Sequence, residues 1–427
     1  MKTKLQLVNG QFVMGDKFWG RDTEVSLLTR KIDEGAHILL TAQRRMGKTS
    51  ILKELQRRLE KEYLCCYVDF QKSDGPEDAV VALSCELRSC EKLWKKVVHM
   101  FRNAGQAILN KLDEVSISEV TIKLRAAVTS GDWQQKGDQL FDILSEADKP
   151  VLLLLDEVPI LVNRILMGDE YKITPEQRKR ADSFMSWLRA NSLKHQGKIR
   201  IILSGSIGLE PVLRRARLSA TISTFSPVEL EPWDEKTAVG CLRALANNYN
   251  IQFLDDAEIA MVKKLGYCIP HHVQMFFSHV LDSCDRAGET NFSPEKVEKI
   301  YKERMLSVRG HAELAHYEDR LKQAFGQEIY PTAFELLTEA AVNRGSLTQK
   351  TLNIIVEDPQ INKKAVEEVL RTLEHDGYFK KTGKGYIFES RLLKDWWAAR
   401  HRLGYVPFAK RPPVDLSSKP GIGFKGR

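Results

Sequence analysis

The sequence has little that would mark an exported or membrane-bound chain. Met1–Gly15 contains no apolar core of signal-peptide length. The longest strongly apolar run is Val151–Leu155, far short of a membrane span. The seven cysteines are an odd number without repeating pair spacing, which argues against a disulfide framework. Cys65 and Cys66 lie in an apolar run and read as small core residues, while Cys85 and Cys90 match no metal or redox spacing. Cys268 lies near His271 and His272, but no further ligand follows at a recognisable spacing, and the histidines read as structural. Internal repeats are absent, and no nuclease, protease or metal-hydrolase pattern occurs. These absences set the expectation of a reducing, cytoplasmic location without membrane contact.

What is present is an ordinary globular composition. The 427 residues are 43% hydrophobic and 29% charged, enough for two to four domains at roughly 100–200 residues each. The net charge is +8. From Val406 to Arg427, five basic residues (Lys410, Arg411, Lys419, Lys425, Arg427) face one acid, Asp415, among four prolines and three glycines. That composition cannot form a core and predicts a disordered basic tail over 404–427. The remainder is only mildly basic.

Hydrophobic patterning predicts an α/β architecture. Ala36–Thr41 is a short apolar run ending at a polar loop. Beyond the loop, Ile51, Leu52, Leu55 and Leu59 recur at helical spacing, and Leu64–Phe70 reads as a buried strand. A strand–loop–helix–strand unit implies a parallel sheet with a crossover helix. Pro76–Lys149 reads as an inserted helical layer, Val151–Asp156 as a central strand, Thr174–Ser192 as a helix and Lys198–Ser204 as a fourth strand. Helical patterning then runs from Asp234 to Arg304, broken at Gly266–Pro270. Thr332–Val342, Leu347–Val356 and Asn362–His375 read as three helices, and Tyr378–Phe388 as two short strands around a Gly-Lys-Gly turn. Three helices and a hairpin make a winged helix. Trp396 and Trp397 read as core or interface aromatics.

The chemistry is concentrated at Ala42-Gln43-Arg44-Arg45-Met46-Gly47-Lys48-Thr49-Ser50, which matches three of the four fixed positions of the P-loop pattern G-x-x-x-x-G-K-[ST]. Such a loop wraps phosphates with backbone N–H groups, and Gly47 lets the backbone approach closely. Lys48 would reach phosphate oxygens and Thr49 would ligate Mg²⁺. The Arg44 and Arg45 side chains are expected to point away, because the loop uses its backbone. Ala42 replaces the first glycine: it costs about 1 kcal/mol or more if that position needs a positive φ, and little if the backbone is extended. Asp156 follows five aliphatics, Val151–Leu155, and suits the Mg²⁺-side carboxylate, with Glu157 placed to orient and deprotonate water. Ser204 and Ser206 follow the next strand, where a polar residue either senses the γ-phosphate or forms an ordinary turn. Arg214, Arg215 and Arg217 come next, as an intersubunit arginine finger, foremost Arg214, or a solvated helix face.

At these residues the chain resembles the archaeal-type ATPase family of the AAA+/STAND region of P-loop proteins. Phe18-Trp19-Gly20-Arg21-Asp22-Thr23-Glu24 resembles the F-x-G-R-x-x-E box, which implies that Gly20 and Arg21 border the adenine. Arg44–Ser50 resembles the R-R-x-G-K-T-S loop, and Asp156-Glu157 the Walker B pair. Gly266–Pro270 resembles the lid signature, which brings Pro270 to the nucleotide. The resemblance covers about residues 12–400 and supplies no clear sensor arginine in the lid. The implied fold class is a P-loop NTPase with a parallel sheet (1–232), a helical lid (233–304) and a winged-helix domain with a connecting helix (305–403). The implied cofactors are ATP and Mg²⁺.

Three functional readings follow. ATP binding and slow hydrolysis could set the winged helix against an unknown protein partner. Alternatively the chain is a DNA-dependent ATPase akin to archaeal replication initiators, binding through the winged helix and basic tail. Its groove helix is a poor phosphate binder, with Lys363, Lys364 and Arg371 opposed by Glu367, Glu368, Glu374 and Asp376. Lys380, Lys381 and Lys384 of the hairpin form the better patch. A scaffold that keeps nucleotide only for stability is the third. A homo-oligomer is compatible with each.

Overall fold

The computed structural model describes residues 5–8, 10–102, 117–168, 173–307, 311–358 and 361–412. The chain divides into two units, Met1–Arg309 and Gly310–Arg427, so residues 1–232 and 233–304 share one unit.

The first unit is built on a five-stranded sheet. Its elements run α1 (Asp22–Asp33), β1 (His37–Thr41), α2 (Lys48–Leu59), β2 (Leu64–Asp69), α3 (Pro76–Glu86), α4 (Glu91–Arg102), α5 (Ile117–Ala126), α6 (Trp133–Ser145), β3 (Val151–Asp156), α7 (Val158–Met167), α8 (Pro175–Lys194), β4 (Ile199–Ser204), α9 (Leu209–Arg215) and β5 (Phe225–Glu229). The strand order is β2-β3-β4-β1-β5, with every pairing parallel. Alternation along β3 explains its unbroken aliphatic sequence. Leu152 and Leu154 pack with Ile38, Leu40, Ile202 and the α1–α2 layer, whereas Val151, Leu153 and Leu155 pack into the larger core formed by α3–α9. Both faces of a parallel strand are covered, so both must be apolar. α8 starts at a capping box, in which Thr174 Oγ1 accepts from Gln177 N and Gln177 Oε1 accepts from Thr174 N.

The sequence predicts at least four strands, and the structure has five, the fifth without a sequence signal. β5 carries Ser226, Pro227 and Glu229 and lies at the sheet edge beside β1, so it needs neither apolar alternation nor a full set of donors. After it come α10 (Glu235–Tyr249), β6 (Gln252–Phe253), α11 (Ala257–Leu265), α12 (Pro270–Ala287), β7 (Asn291–Phe292) and α13 (Pro294–Ile300). The break predicted at Gly266–Pro270 separates α11 from α12, with Gly266 at positive φ and Pro270 at the first position of α12.

The second unit runs α14 (His311–Val342), β8 (Ser346–Thr348), α15 (Gln349–Glu357), α16 (Lys363–His375), β9 (Phe379–Thr382), β10 (Gly385–Phe388) and α17 (Arg391–His401). α14 is interrupted at Gly326, whose φ of 66° and ψ of −176° are not helical. The hairpin β9–β10 gains a third strand, β8, in the order β8-β10-β9. Three residues are too few to show a pattern, and the sequence assigned Leu347 to a helix. Trp396 and Trp397 are fully buried, and Trp397 Nε1 donates to Thr338 Oγ1 at 3.0 Å. The predicted tail begins too early. Phe408 is buried, its N–H donates to Glu339 at 3.1 Å, and Arg411 pairs with Glu335 at 2.6 Å. Residues 413–427 lie outside the described residues. No helix among the described residues is long and apolar enough to cross a membrane.

Candidate nucleotide-binding site

β1 delivers the chain to a loop at the C-terminal edge of the sheet, and α2 leaves from it. The loop holds two left-handed residues, Arg45 (φ 70°) and Gly47 (φ 95°), and Ala42 is not one of them. The replacement of the first glycine therefore costs no backbone strain; the strained non-glycine position is Arg45. A Cβ at Gly47 would meet no atom within 4 Å, so glycine answers there to conformation rather than crowding. No side chain caps the start of α2, which leaves its first N–H groups for an anion. Lys48 is buried and folds back over the loop, donating to Ala42 O at 2.6 Å and Gln43 O at 3.1 Å.

Strand order brings the acidic pair opposite this loop. β4 separates β1 from β3, and its last residue, Ser204, stands in register with Leu40. Across that gap Thr49 Oγ1 donates to Asp156 Oδ2 at 2.7 Å. Glu157 N donates to Asp156 Oδ1 at 3.0 Å. Tyr67 OH also donates to Asp156 Oδ2, at 3.2 Å, a partner for which the sequence carries no signal. Glu157 itself is left-handed, with φ 57° and ψ 25°. Its Oε2 accepts from Ser206 N at 2.9 Å and Ser206 Oγ at 2.8 Å. The turn is tight, because a Cβ on Gly205 would lie 2.3 Å from Pro159 Cδ. Ser206 is thus the glutamate's partner, whereas Ser204 Oγ, 1% exposed, has no hydrogen-bond partner. Both amide atoms of Gln43, 5% exposed, are likewise unsatisfied.

Other predicted residues support the loop from behind. Arg21 is buried, and its Nη2 donates to Met46 O at 3.2 Å and to Glu231 O at 2.7 Å, while Nη1 pairs with Glu24. It ties the loop to the segment after β5. Met46 is buried. Gly20 has a φ of 65°, and a Cβ there would lie 2.4 Å from Thr237 Cγ2 on α10. Ser50 Oγ accepts from Val13 N at 3.0 Å, which engages it with the N-terminal segment. Glu54 accepts from Gly15 N at 2.8 Å and pairs with Arg57 and Arg58. Burial alone would raise its carboxyl, but the hydrogen bonds from Arg57, Gly15 and Arg58 bring it down to about 2.

Pro270 is buried at the start of α12. Burial, and then the charges of Arg45 and Arg44, hold the neighbouring His271 down to about 4. Arg45 Nη1 also donates to Gly10 O at 3.4 Å. Arg214 pairs with Glu210 in its own helix at 3.2 Å, outside the hydrogen-bonded group around Asp156. Arg215 donates to Asn163 Oδ1 at 2.9 Å, and Arg217 is exposed.

These residues fit a nucleotide with a hard cation. An uncapped helix start and a loop lysine suit phosphate, and unsatisfied Gln43 and Ser204 suit polar ligand atoms. Thr49 and Asp156 supply the few protein oxygens that Mg²⁺ takes beside phosphate and water. Among the described residues no group of three or more His, Cys, Asp or Glu gathers for another metal, Cys268 and its neighbouring histidines included.

Compared with solved structures, the chain is similar to the Walker-type ATPase of Pyrococcus abyssi at a TM-score of 0.59 and 15% identity, over 93% of this chain and 99% of that one. The chain has a P-loop ATPase fold. The chain is also similar to the Thermotoga maritima RuvB Holliday junction branch migration motor (TM-score 0.42, 14% identity, 90% and 96% of the two chains) and to Cdc6p of Pyrobaculum aerophilum (0.40, 14%, 89% and 92%). Neither a protein-family model nor a curated protein matches this P-loop ATPase-fold chain.

Proposed function

We propose that the protein binds ATP·Mg²⁺ at Gln43–Ser50 and hydrolyses it slowly, as a switch that sets its C-terminal unit against a protein partner. The observation that carries this reading is the 2.7 Å contact between Thr49 of the loop and Asp156 at the tip of β3. A carboxylate 3% exposed at the end of a buried strand is costly unless donors or a cation satisfy it. Bound Mg²⁺ would neutralise charge on the phosphates, with Thr49 and Asp156 holding it. Lys48 would turn from the Ala42 and Gln43 carbonyls to phosphate oxygens. Glu157 would leave Ser206 to orient the attacking water. Residues 233–304 act as the lid, and the end of α14 with α15, α16 and the three strands β8–β10 as a winged helix. Arg214 remains a candidate finger if copies of the chain assemble.

A second reading, a DNA-dependent ATPase, draws on one observation. Lys380, Lys381 and Lys384 are all exposed around the β9–β10 turn, whereas Arg371 of α16 is paired with Glu367. One assay tests both: ATP hydrolysis with and without duplex DNA, beside Lys48→Ala and Glu157→Gln. Turnover lost in both variants supports the ATPase. Acceleration by DNA, weakening with salt, favours the second reading. Undiminished turnover in Lys48→Ala refutes both.

A further inference from the structure

Tyr67 belongs to none of the motifs, yet it touches the acidic pair. It lies on β2, two residues before Asp69, which is in register with Asp156. Its hydroxyl shares Asp156 Oδ2 with Thr49, at 3.2 Å against 2.7 Å, while Oδ1 takes the Glu157 amide at 3.0 Å. Three donors on two oxygens fix the plane of a carboxylate. The ring is itself held: Lys53 Nζ sits 3.4 Å from its centroid. Lys53 follows Thr49 by one turn of α2, so a single helix face presents both the loop hydroxyl and the cation that steadies the tyrosine.

We propose that Tyr67 is a positioning residue for the Mg²⁺ site, holding Asp156 in the orientation in which it and Thr49 take the ion. The inference deepens the ATPase reading and rests on it. The Thr49 contact alone would not fix the carboxylate, because that hydroxyl oxygen must also serve the ion. The Tyr67 contact involves no ligand atom of its own and persists whichever way the threonine is used. Partners of this kind, one bond removed from a metal, typically change its affinity tenfold to a hundredfold.

The test compares the full chain with Tyr67→Phe, which keeps the ring and its lysine. Binding of the fluorescent nucleotide mant-ADP is titrated with Mg²⁺ and, separately, in EDTA. The expected result is unchanged affinity in EDTA and about a tenfold rise in the Mg²⁺ concentration that gives half of the Mg²⁺-dependent gain. An unchanged Mg²⁺ dependence overturns the inference. So does an equal loss of affinity in EDTA, which would mark Tyr67 as a general support of the loop. A wild-type chain that binds no mant-ADP under either condition overturns the ATPase reading, and this inference with it. That failure shows before any substitution is made.

Discussion

Replacing Arg21 with alanine should destabilise the protein before any nucleotide is added. The guanidinium is 4% exposed and makes two hydrogen bonds to carbonyls 210 and 25 residues away in sequence, at Glu231 and Met46. A hydrogen bond from a charged donor contributes ~1.5–3 kcal/mol, and each carbonyl left buried without a donor adds to the loss. The 3.2 Å bond to Met46 belongs at the weak end, and the pair with Glu24, on neighbouring turns, adds little. The sum is ~3 kcal/mol. In a unit of 309 residues that corresponds to a fall of ~5 °C in the melting temperature. Arg21→Lys, which offers one point of contact instead of a fork, should recover less than half. The assay is thermal unfolding of the nucleotide-free protein, repeated with a large excess of ATP·Mg²⁺. Arg21→Ala that melts like wild type without nucleotide, yet loses stabilisation by ATP, would refute the reasoning. Arg21 would then contact the ligand, as the F-x-G-R-x-x-E resemblance implies.

Ser206→Ala removes one of two donors to Glu157 and should raise single-turnover hydrolysis about fivefold, the equivalent of ~1 kcal/mol, because the glutamate leaves its resting position more easily; a fall would assign Ser206 to the phosphate instead. His271, held to about 4 in the folded chain against an ordinary 6.5, is neutral where the unfolded chain takes up a proton. Stability present above pH 6.5 should therefore decline as pH falls towards 4, by at most ~1.4 kcal/mol per pH unit for this group. His271→Asn should flatten the decline in urea midpoints between pH 7 and 5 without abolishing it, since the buried His272 is shifted the same way; an unchanged slope would discount the burial argument.

What could be read in the sequence were features with local causes. β1 to β4 are short apolar runs because both faces of their sheet are covered, and the loop announces itself because phosphate chemistry fixes glycine, lysine and threonine at set spacings. Asp156-Glu157 stood out as charge at the end of a run of leucines. β5 did not, since an edge strand tolerates Pro227, and β8 is only three residues long. The conformation of Ala42 was undetermined from sequence, because a loop can place its left-handed residues elsewhere, here at Arg45 and Gly47. The choice between Ser204 and Ser206 depended on which side chain reached Glu157. For Arg21 the resemblance implied only a place beside the adenine, not its bonds to Met46 and Glu231, and Tyr67 had no legible role. Their partners lie up to 210 and 89 residues away, and no spacing rule relates residues joined only by strand order.

The edge position of β5 bears on how copies of this chain could associate. A second sheet added beyond β5 would need backbone donors along that strand, and Pro227 has none to give. Growth of one continuous sheet across two subunits is therefore blocked on this side. A neighbour docking on this side would have to use side-chain surfaces, which can part and rejoin, rather than a shared ladder of hydrogen bonds that would lock the pair together.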